Sequence, residues 1–315
     1  MENMQTVLIT GASGFIARHL TKKVCEKYPG TSVIGVGRES CMQDLLDIAN
    51  LEYIALDLLD TSFSENLPSN VDTIIHFAGD RRSFVPPSEY TSQIKSNVLV
   101  TSQIADYAIQ AKASQFIYAS SVYVYSGCAT IPFKEDYIAC PIENLGASKL
   151  SAECVLRVYS EAGLFNSTYF RIFTAYGPGM SSDQFLPIAI EKLLSSDSEA
   201  VFGNLEIKRD FIYIDDVVDA VMIKLDRLQD AENVALSEVF NLGSGTATRI
   251  HEVVNLLAKI LNVNKPVKYQ LSEFHLRQGD HHHQADLTNV RDHLNWIPKV
   301  SLERGLRKLV RSLNE

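Results

Sequence analysis

The chain has 315 residues, 46% of them hydrophobic, and a formal net charge of −9. That length suits one or two domains with a real core, and the acidic balance argues against nucleic acid or an anionic membrane surface as the main partner. The N-terminus runs straight into a strand-like segment without a signal-peptide pattern, and no stretch approaches ~20 apolar residues, so a soluble, cytoplasmic protein is expected.

Val7–Thr10 reads as a buried strand and Phe15–Glu26 has helical spacing. Strands follow at Ser32–Val36, Ile54–Leu56 and Thr73–Phe77, then a helix near Ser92–Ala111 and a strand at Gln115–Ala119. A helix over Leu145–Ala162 leads into a strand at Ser167–Phe173. Apolar strands alternating with helices predict an α/β fold, a Rossmann-type doubly wound parallel sheet covered on both faces. Gly177-Pro178-Gly179 then breaks the pattern. Beyond it lie a helix at Gln184–Leu194, an isolated strand-like Val239–Leu242 and a helix at Arg249–Leu261. Residues 1–175 are therefore read as a dinucleotide-binding domain, with returning segments near 211–243, and 176–315 as a smaller α+β substrate lobe.

Five cysteines (Cys25, Cys41, Cys128, Cys140, Cys154) without a C-x-x-C pair are expected to be reduced thiols, and no metal site is expected. His281, His282 and His283 form a run read as a polar loop.

Gly11-Ala12-Ser13-Gly14-Phe15-Ile16-Ala17 joins the first strand to the first helix. Gly11 permits the tight turn, Gly14 lets main-chain amides approach a pyrophosphate, and the helix N-terminus favours negative charge. Gly11, Ser13, Gly14, Phe15 and Ile16 are thus candidate cofactor contacts. A carboxylate that would hold ribose hydroxyls is missing from the end of the second strand, which reads Gly37-Arg38. Arg38 suits a 2′-phosphate, so the cofactor is NAD or NADP, with NADP slightly favoured. Asp57 and Leu58 follow the third strand, where they could meet the adenine edge; a turn-forming aspartate is the simpler alternative.

Together with His76-Phe77-Ala78-Gly79, Asn97-Val98, Ser120-Ser121-Val122-Tyr123, Gly146-Ala147-Ser148-Lys149, Arg171–Gly179, Arg209–Asp216, Asn241–Gly245 and Arg277-Gln278-Gly279-Asp280, this loop resembles the extended short-chain dehydrogenase/reductase family of nucleotide-sugar epimerases and dehydratases. The resemblance implies that Phe77, Ala78, Gly79, Asn97 and Lys149 face the cofactor. It implies that Ser121 is the catalytic serine and Lys149 the lysine that anchors the nicotinamide ribose. It also implies a tyrosine four residues before Lys149, where this chain has Leu145. Leucine cannot exchange a proton, and a positioned acid-base group is typically worth ~10²–10⁴ in rate.

Four explanations stay open: a substitute group, chemistry that needs only a weaker base or water, a binder with degraded catalysis, or an engineered residue. Tyr123 leads among substitutes, because strand alternation would place it on the side of Ser121; Asp80 is second. Without an Asp-Glu pair at Val122-Tyr123, 4,6-dehydration is disfavoured. On the substrate side, Arg209 and Arg277 suit diphosphate or ribose. Thr174 replaces the family's asparagine, and Gln184, Phe185 and Arg81 are expected to line the pocket. The implied activity is hydride transfer at the sugar C4 by an NAD(P)-dependent epimerase or oxidoreductase in polysaccharide-precursor synthesis; the alternative is a catalytically weak ligand-binding protein with a sensor or partner role. A homodimer joined through Ser92–Ala111 and Leu145–Ala162 is also implied.

Overall fold

The computed structural model describes residues 5–38, 43–83, 85–229, 236–270 and 282–313. The chain forms two compact units, one of residues 1–129, 135–172 and 218–241, the other of 130–134, 173–217 and 242–315.

In the first unit, β1 (Thr6–Thr10), β2 (Ser32–Gly37), β3 (Leu51–Ala55), β4 (Thr73–His76), β5 (Gln115–Ser121), β6 (Asn166–Ile172) and β10 (Ser237–Leu242) make one sheet in the order β10-β6-β5-β4-β1-β2-β3. The pairs β1–β2, β1–β4, β2–β3, β4–β5 and β5–β6 are parallel. β1 and β4 are neighbours although β2 and β3 come between them in sequence, so the order reverses at the β1/β4 edge. Crevices at such a reversal, outside the carboxyl ends of the strands, are where doubly wound sheets take ligands.

The strands are apolar on both faces because helices cover both. Leu8, Ile34, Val36, Ile74, Phe116 and Tyr118 pack in one buried cluster with Ile104, Ala105 and Ala108 of α4 (Val100–Gln110) and with Ala152 and Leu156 of α5 (Asn144–Glu161). The helix expected over Ser92–Ala111 begins earlier, as α3 (Tyr90–Ile94), and passes through a π-helical turn, Lys95–Leu99, before α4. β3 also starts three residues before its expected place. The segment Val239–Leu242, a strand with no sequence neighbour inside the stretch expected to return to the first domain, belongs to β10 at the edge of the main sheet beside β6.

The second unit holds the three-stranded sheet β11-β9-β7 (Ala247–Arg249, Lys208–Tyr213, Thr174–Tyr176) and the pair β12-β8 (Val267–Tyr269, Ala200–Phe202). Its helices include α6 (Phe185–Leu194), α8 (Ile250–Leu261), α9 (Thr288–Leu294) and α10 (Leu302–Ser312), and α7 (Ile214–Gln229) continues from this unit into the first. No helix among the described residues is long and apolar enough to cross a membrane, and none of their His, Cys, Asp and Glu side chains gather in threes as metal ligands.

Candidate functional site

The turn after β1 is built by glycines that have no room to be anything else. Gly11 has φ +72°, and a Cβ there would meet the Ala78 nitrogen at 2.8 Å, so β1 and β4 exits touch through bare backbone. Gly14 is the N-cap of α1 (Phe15–Lys27), which has no side-chain cap and no acidic residue in its first turn. Unclaimed amides at the start of a helix make a site for a negatively charged group. Phe15, Ile16, Phe77 and Ala78 are half-buried around this turn, while Gly14 and Gly79 are exposed.

Behind the β4 exit lies a buried polar chain. His76, fully buried, lies 2.6 Å through Nδ1 from the Thr10 hydroxyl and 3.0 Å through Nε2 from the Thr101 hydroxyl. Thr101 donates its own proton to the Asn97 carbonyl at 2.6 Å. Thr101 must then accept from His76, which fixes the Nε2–H tautomer by the network. Burial, and secondarily the Lys149 ammonium, push His76 down to about 3, so the ring is neutral. Asn97 sits in the π-helical turn, a local widening often found at functional sites. It donates from Nδ2 to the Asp80 carbonyl and the Ser148 hydroxyl, each at 2.9 Å, and accepts from the Asp80 amide at 2.7 Å.

Lys149 is 7% exposed and points from α5 to the end of β5, where Nζ donates to the Ala119 carbonyl at 2.8 Å. Burial pushes it down to about 8, against the opposing pull of Glu153 and then Asp80. A Cβ added at Gly79 would meet Asn97 Oδ1 at 2.6 Å and lie 3.5 Å from Nζ, so bare backbone at Gly79 is what lets the β4 exit close on Asn97 and Lys149. Leu145, one turn earlier, is 3% exposed. Gly146 lets this end of α5 close on the serine segment: its Cβ would fall 2.1 Å from the Tyr123 carbonyl oxygen.

One turn beyond Lys149, Glu153 grips Arg171 in a bidentate pair at 3.1 and 2.7 Å, with both side chains at most 5% exposed. Ser120 donates to the same carboxylate, and Arg171 donates to Tyr125 at 2.7 Å. Burial alone would disfavour the Arg171 charge; the Glu153 carboxylate holds the guanidinium firmly protonated.

In the second unit, Thr174 and Arg209 lie on adjacent strands, with Thr174 paired to Phe211 in the β7/β9 register. Asp210 is fully buried and accepts four hydrogen bonds, from the Ser244 amide and hydroxyl (2.6 Å each) and from the Gly245 and Ala285 amides (3.0 Å each). Burial raises its carboxyl and these donors oppose the rise. Gly243 is obligatory here, since a Cβ would meet Asp210 Oδ2 at 2.7 Å. Gln184 is the N-cap residue of α6, and its buried Oε1 has no hydrogen-bond partner among the described residues.

Residues 7–243 match the model of the NAD dependent epimerase/dehydratase family. The chain belongs to that family. It is 32% identical to an uncharacterized protein of Methanocaldococcus jannaschii, over 96% of this chain and 94% of that one. It is 26% identical to mouse dTDP-D-glucose 4,6-dehydratase, over 96% of this chain and 87% of the relative. Among solved structures it superposes on the UDP-glucuronic acid 4-epimerase of Bacillus cereus, in complex with UDP-glucuronic acid and NAD, with a TM-score of 0.87, 26% identity and coverage of 98% of this chain and 99% of that one. The family is NAD-dependent and acts on nucleotide-sugars. The first unit of this member suits a dinucleotide: the uncapped α1 N-terminus fits the pyrophosphate, and Lys149 Nζ lies next to the bare backbone of Gly79 at the β4 exit.

Several sequence expectations change in this light. Strand alternation does not place Tyr123, because β5 stops at Ser121 and Val122–Tyr125 is a 3-10 turn whose N-cap is Ser121, with Oγ accepting from the Tyr123 amide at 3.3 Å. Asp80 is a poor proton acceptor: burial would raise it, but Arg82, at 3.0 Å from Oδ1 and 2.5 Å from Oδ2, holds it below the usual carboxylate range. Asn97 has both Nδ2 protons committed inside the protein, which leaves only the second lone pair of Oδ1 for a ligand donor. The Leu58 side chain is in the core, leaving only its main chain for a ligand, and Asp57 closes a local turn by accepting from the Leu59 amide at 3.0 Å. Arg38 and Arg81 are exposed. Arg277 and His281 lie outside the described residues. His282 and His283 are not a solvated loop: His282 accepts from the Lys208 amide at 3.0 Å, and His283 is buried beside Phe133. The sequence reading passed over Glu153 and Asp210; the signal available was Glu153 four residues past Lys149 on one helix face, and an aspartate inside a strand motif.

Proposed function

We propose that this family member is an NAD(P)-dependent nucleotide-sugar epimerase or oxidoreductase acting at the sugar C4, as a 4-epimerase, 4-ketoreductase or 4-dehydrogenase. The observation that carries this reading is the ammonium of Lys149, buried between the β5 end and the bare backbone of Gly79, beside an intact glycine turn. A bound nicotinamide supplies a hydride acceptor and donor. The chain's own part is to bind, orient and move a proton. Lys149 holds the ribose, and its positive charge favours an alkoxide nearby. Ser121 hydrogen-bonds the reacting hydroxyl, and Tyr123 exchanges its proton in place of the absent phenol. Thr174, Gln184, Arg81, Arg209 and Arg277 are the residues assigned to the nucleotide-sugar, with Arg209 and Arg277 on its diphosphate or ribose. The absence of an Asp-Glu pair at Val122-Tyr123 turns the reading away from 4,6-dehydration.

Arg38 supports NADP beside NAD. A homodimer is part of the same reading: Tyr90 and Ile94 of α3, Leu99 of the π-helical turn, and Val158 of α5 are apolar and 37–70% exposed, a pattern suited to pairing helices between copies.

Leu145 favours a second reading, a protein that binds the same ligands with little turnover and serves as a sensor or partner. A stopped-flow absorbance trace at the nicotinamide band, run with a panel of nucleotide-sugars, separates the two. Rapid hydride transfer with one sugar supports the enzyme. Binding with a flat trace throughout supports the binder.

A further inference from the structure

Four described cysteines are free, and they differ in setting. Cys25 is buried in α1, with its thiol raised to about 11 by desolvation. Cys154 stands exposed on α5. Cys128 and Cys140 instead stand on two neighbouring antiparallel stretches of the first unit. The Gly127 amide donates to the Cys140 carbonyl at 2.6 Å, and the Ile142 amide donates to the Ser126 hydroxyl at 2.9 Å. Cys128 continues the first stretch, and its thiol donates back across the gap to the Ile138 carbonyl at 3.3 Å. Cys140 leans the other way: a Cβ on Gly127 would stand 3.1 Å from its sulfur. Burial raises the Cys128 thiol, a hydrogen bond from the Cys140 main chain opposes the rise, and the charge of the Cys140 sulfur adds to it.

We propose that Cys128 and Cys140 are a reversible thiol–disulfide modification site, oxidised by hydrogen peroxide. Their settings assign the order of events. Cys140 is exposed, whereas Cys128 is half-buried and its thiol is raised by desolvation. The thiolate is the reactive form, and burial suppresses it. Cys140 therefore attacks the peroxide first: an S–O bond forms, the O–O bond breaks, and the hydroxide released takes a proton to become water. The Cys128 thiolate then attacks the sulfenic sulfur, forming S–S and breaking S–O, and a second water leaves. Two thiols and one peroxide give one disulfide and two waters.

The bond closes the loop between residues 128 and 140, which separates the serine segment (Ser121–Tyr125) from the start of α5. In the reduced protein that junction is held by the two hydrogen bonds from Gly127 and Ile142 and by the Gly146–Tyr123 approach. Oxidation adds a covalent tie at the same place. This inference does not depend on which reaction the protein carries out.

The test is a peroxide titration of the full reduced chain, followed by intact-mass measurement and peptide mapping without reductant. The expected result is loss of two hydrogens, a linked peptide pair carrying Cys128 and Cys140, and full reversal by dithiothreitol. In Cys128→Ser, Cys140 should stop at the sulfenic acid and be trapped by dimedone; Cys25→Ser and Cys154→Ser should leave the linkage unchanged. The assignment is overturned if both sulfurs run on independently to sulfinic acids, or if Cys140 pairs instead with Cys41 or with a second copy. Because mapping of the unaltered chain is decisive, a variant that fails to fold leaves the test intact.

Discussion

The ammonium of Lys149 sits 4.8 Å from the centre of the Tyr118 ring, on the side of β5 where the same nitrogen bonds the Ala119 carbonyl. The ring face and one carbonyl are modest compensation for a buried charge. The lysine therefore ionises at about 8 in the folded chain, against 10.5 as the unperturbed value. A base whose folded pKa is depressed leaves the unfolded chain holding more protons between those two values, so stability rises with pH across that window. We predict that Lys149→Met gains on the parent at neutral pH and that the gain shrinks by about 3 kcal/mol as pH climbs from about 8 to about 10. Urea unfolding of both proteins at several pH values measures this; a difference that stays flat with pH removes the idea.

Tyr123 and Leu145 give a paired prediction. If Tyr123 exchanges the substrate proton, Tyr123→Phe lowers turnover by ~10²-fold or more and leaves cofactor affinity as it was. Leu145→Tyr raises turnover if the pocket still accepts a phenol there. Leu145 is 3% exposed, so a larger side chain must displace neighbours, and a fall in rate with intact folding would mean the site has been rebuilt around leucine. Unchanged turnover in Tyr123→Phe eliminates Tyr123.

The sequence carried the central sheet well and the site unevenly, for physical reasons. β1, β2, β4, β5 and β6 were legible because strands buried on both faces are continuous apolar runs. β10 falls within the segments near 211–243 expected to return to the first domain, but its partner β6 was not legible, because pairing is a long-range fact that no local period records. α7 has no counterpart among the expected helices: its first residues, Ile214, Asp215 and Asp216, fall in the Arg209–Asp216 family motif. The glycine turn could be placed from its position between the first strand and first helix, and Lys149 from the family motif that it completes. Tyr123 could not, because alternation holds only while a strand lasts and this one turns at Ser121. The π-helical turn at Asn97 leaves no mark in the apolar pattern, and the pairing of Glu153 with Arg171 joins residues on two different elements.

That ion pair carries the third prediction. Glu153→Gln leaves Arg171 buried without its counter-charge, which costs about 3–5 kcal/mol. Replacing both partners together by apolar residues, as in Glu153→Leu with Arg171→Met, should be milder than the single change, since no uncompensated charge remains. Denaturant midpoints of the three proteins decide it. Equal loss in the single and double variants would mean that Ser120 and Tyr125, not the charges, hold the network.

The dimer reading makes Val158 a sensitive position. It is 70% exposed on α5, and in a paired interface an aspartate there would be desolvated without a partner. Val158→Asp should move sedimentation from a dimer to a monomer while leaving the melting profile of the folded chain close to that of the parent, as expected for an exposed site. A parent chain that already sediments as a monomer at micromolar concentration ends this reading.

The last prediction concerns the choice between two dinucleotides. Gly37 has no room for a ribose-binding carboxylate: a Cβ there would lie 2.3 Å from the Tyr53 hydroxyl and 2.8 Å from the Ser13 hydroxyl. Arg38 follows it and is exposed, as a residue waiting for a 2′-phosphate would be. A charge-assisted contact to phosphate contributes about 1.5–3 kcal/mol, or roughly 10- to 100-fold in affinity. Arg38→Ala should therefore weaken NADP binding by at least about tenfold while changing NAD binding little. Calorimetric titration of both nucleotides into both proteins reads this without any turnover. Equal weakening of the two nucleotides would place Arg38 on the shared pyrophosphate instead, and no weakening of either would return it to the solvent-facing surface.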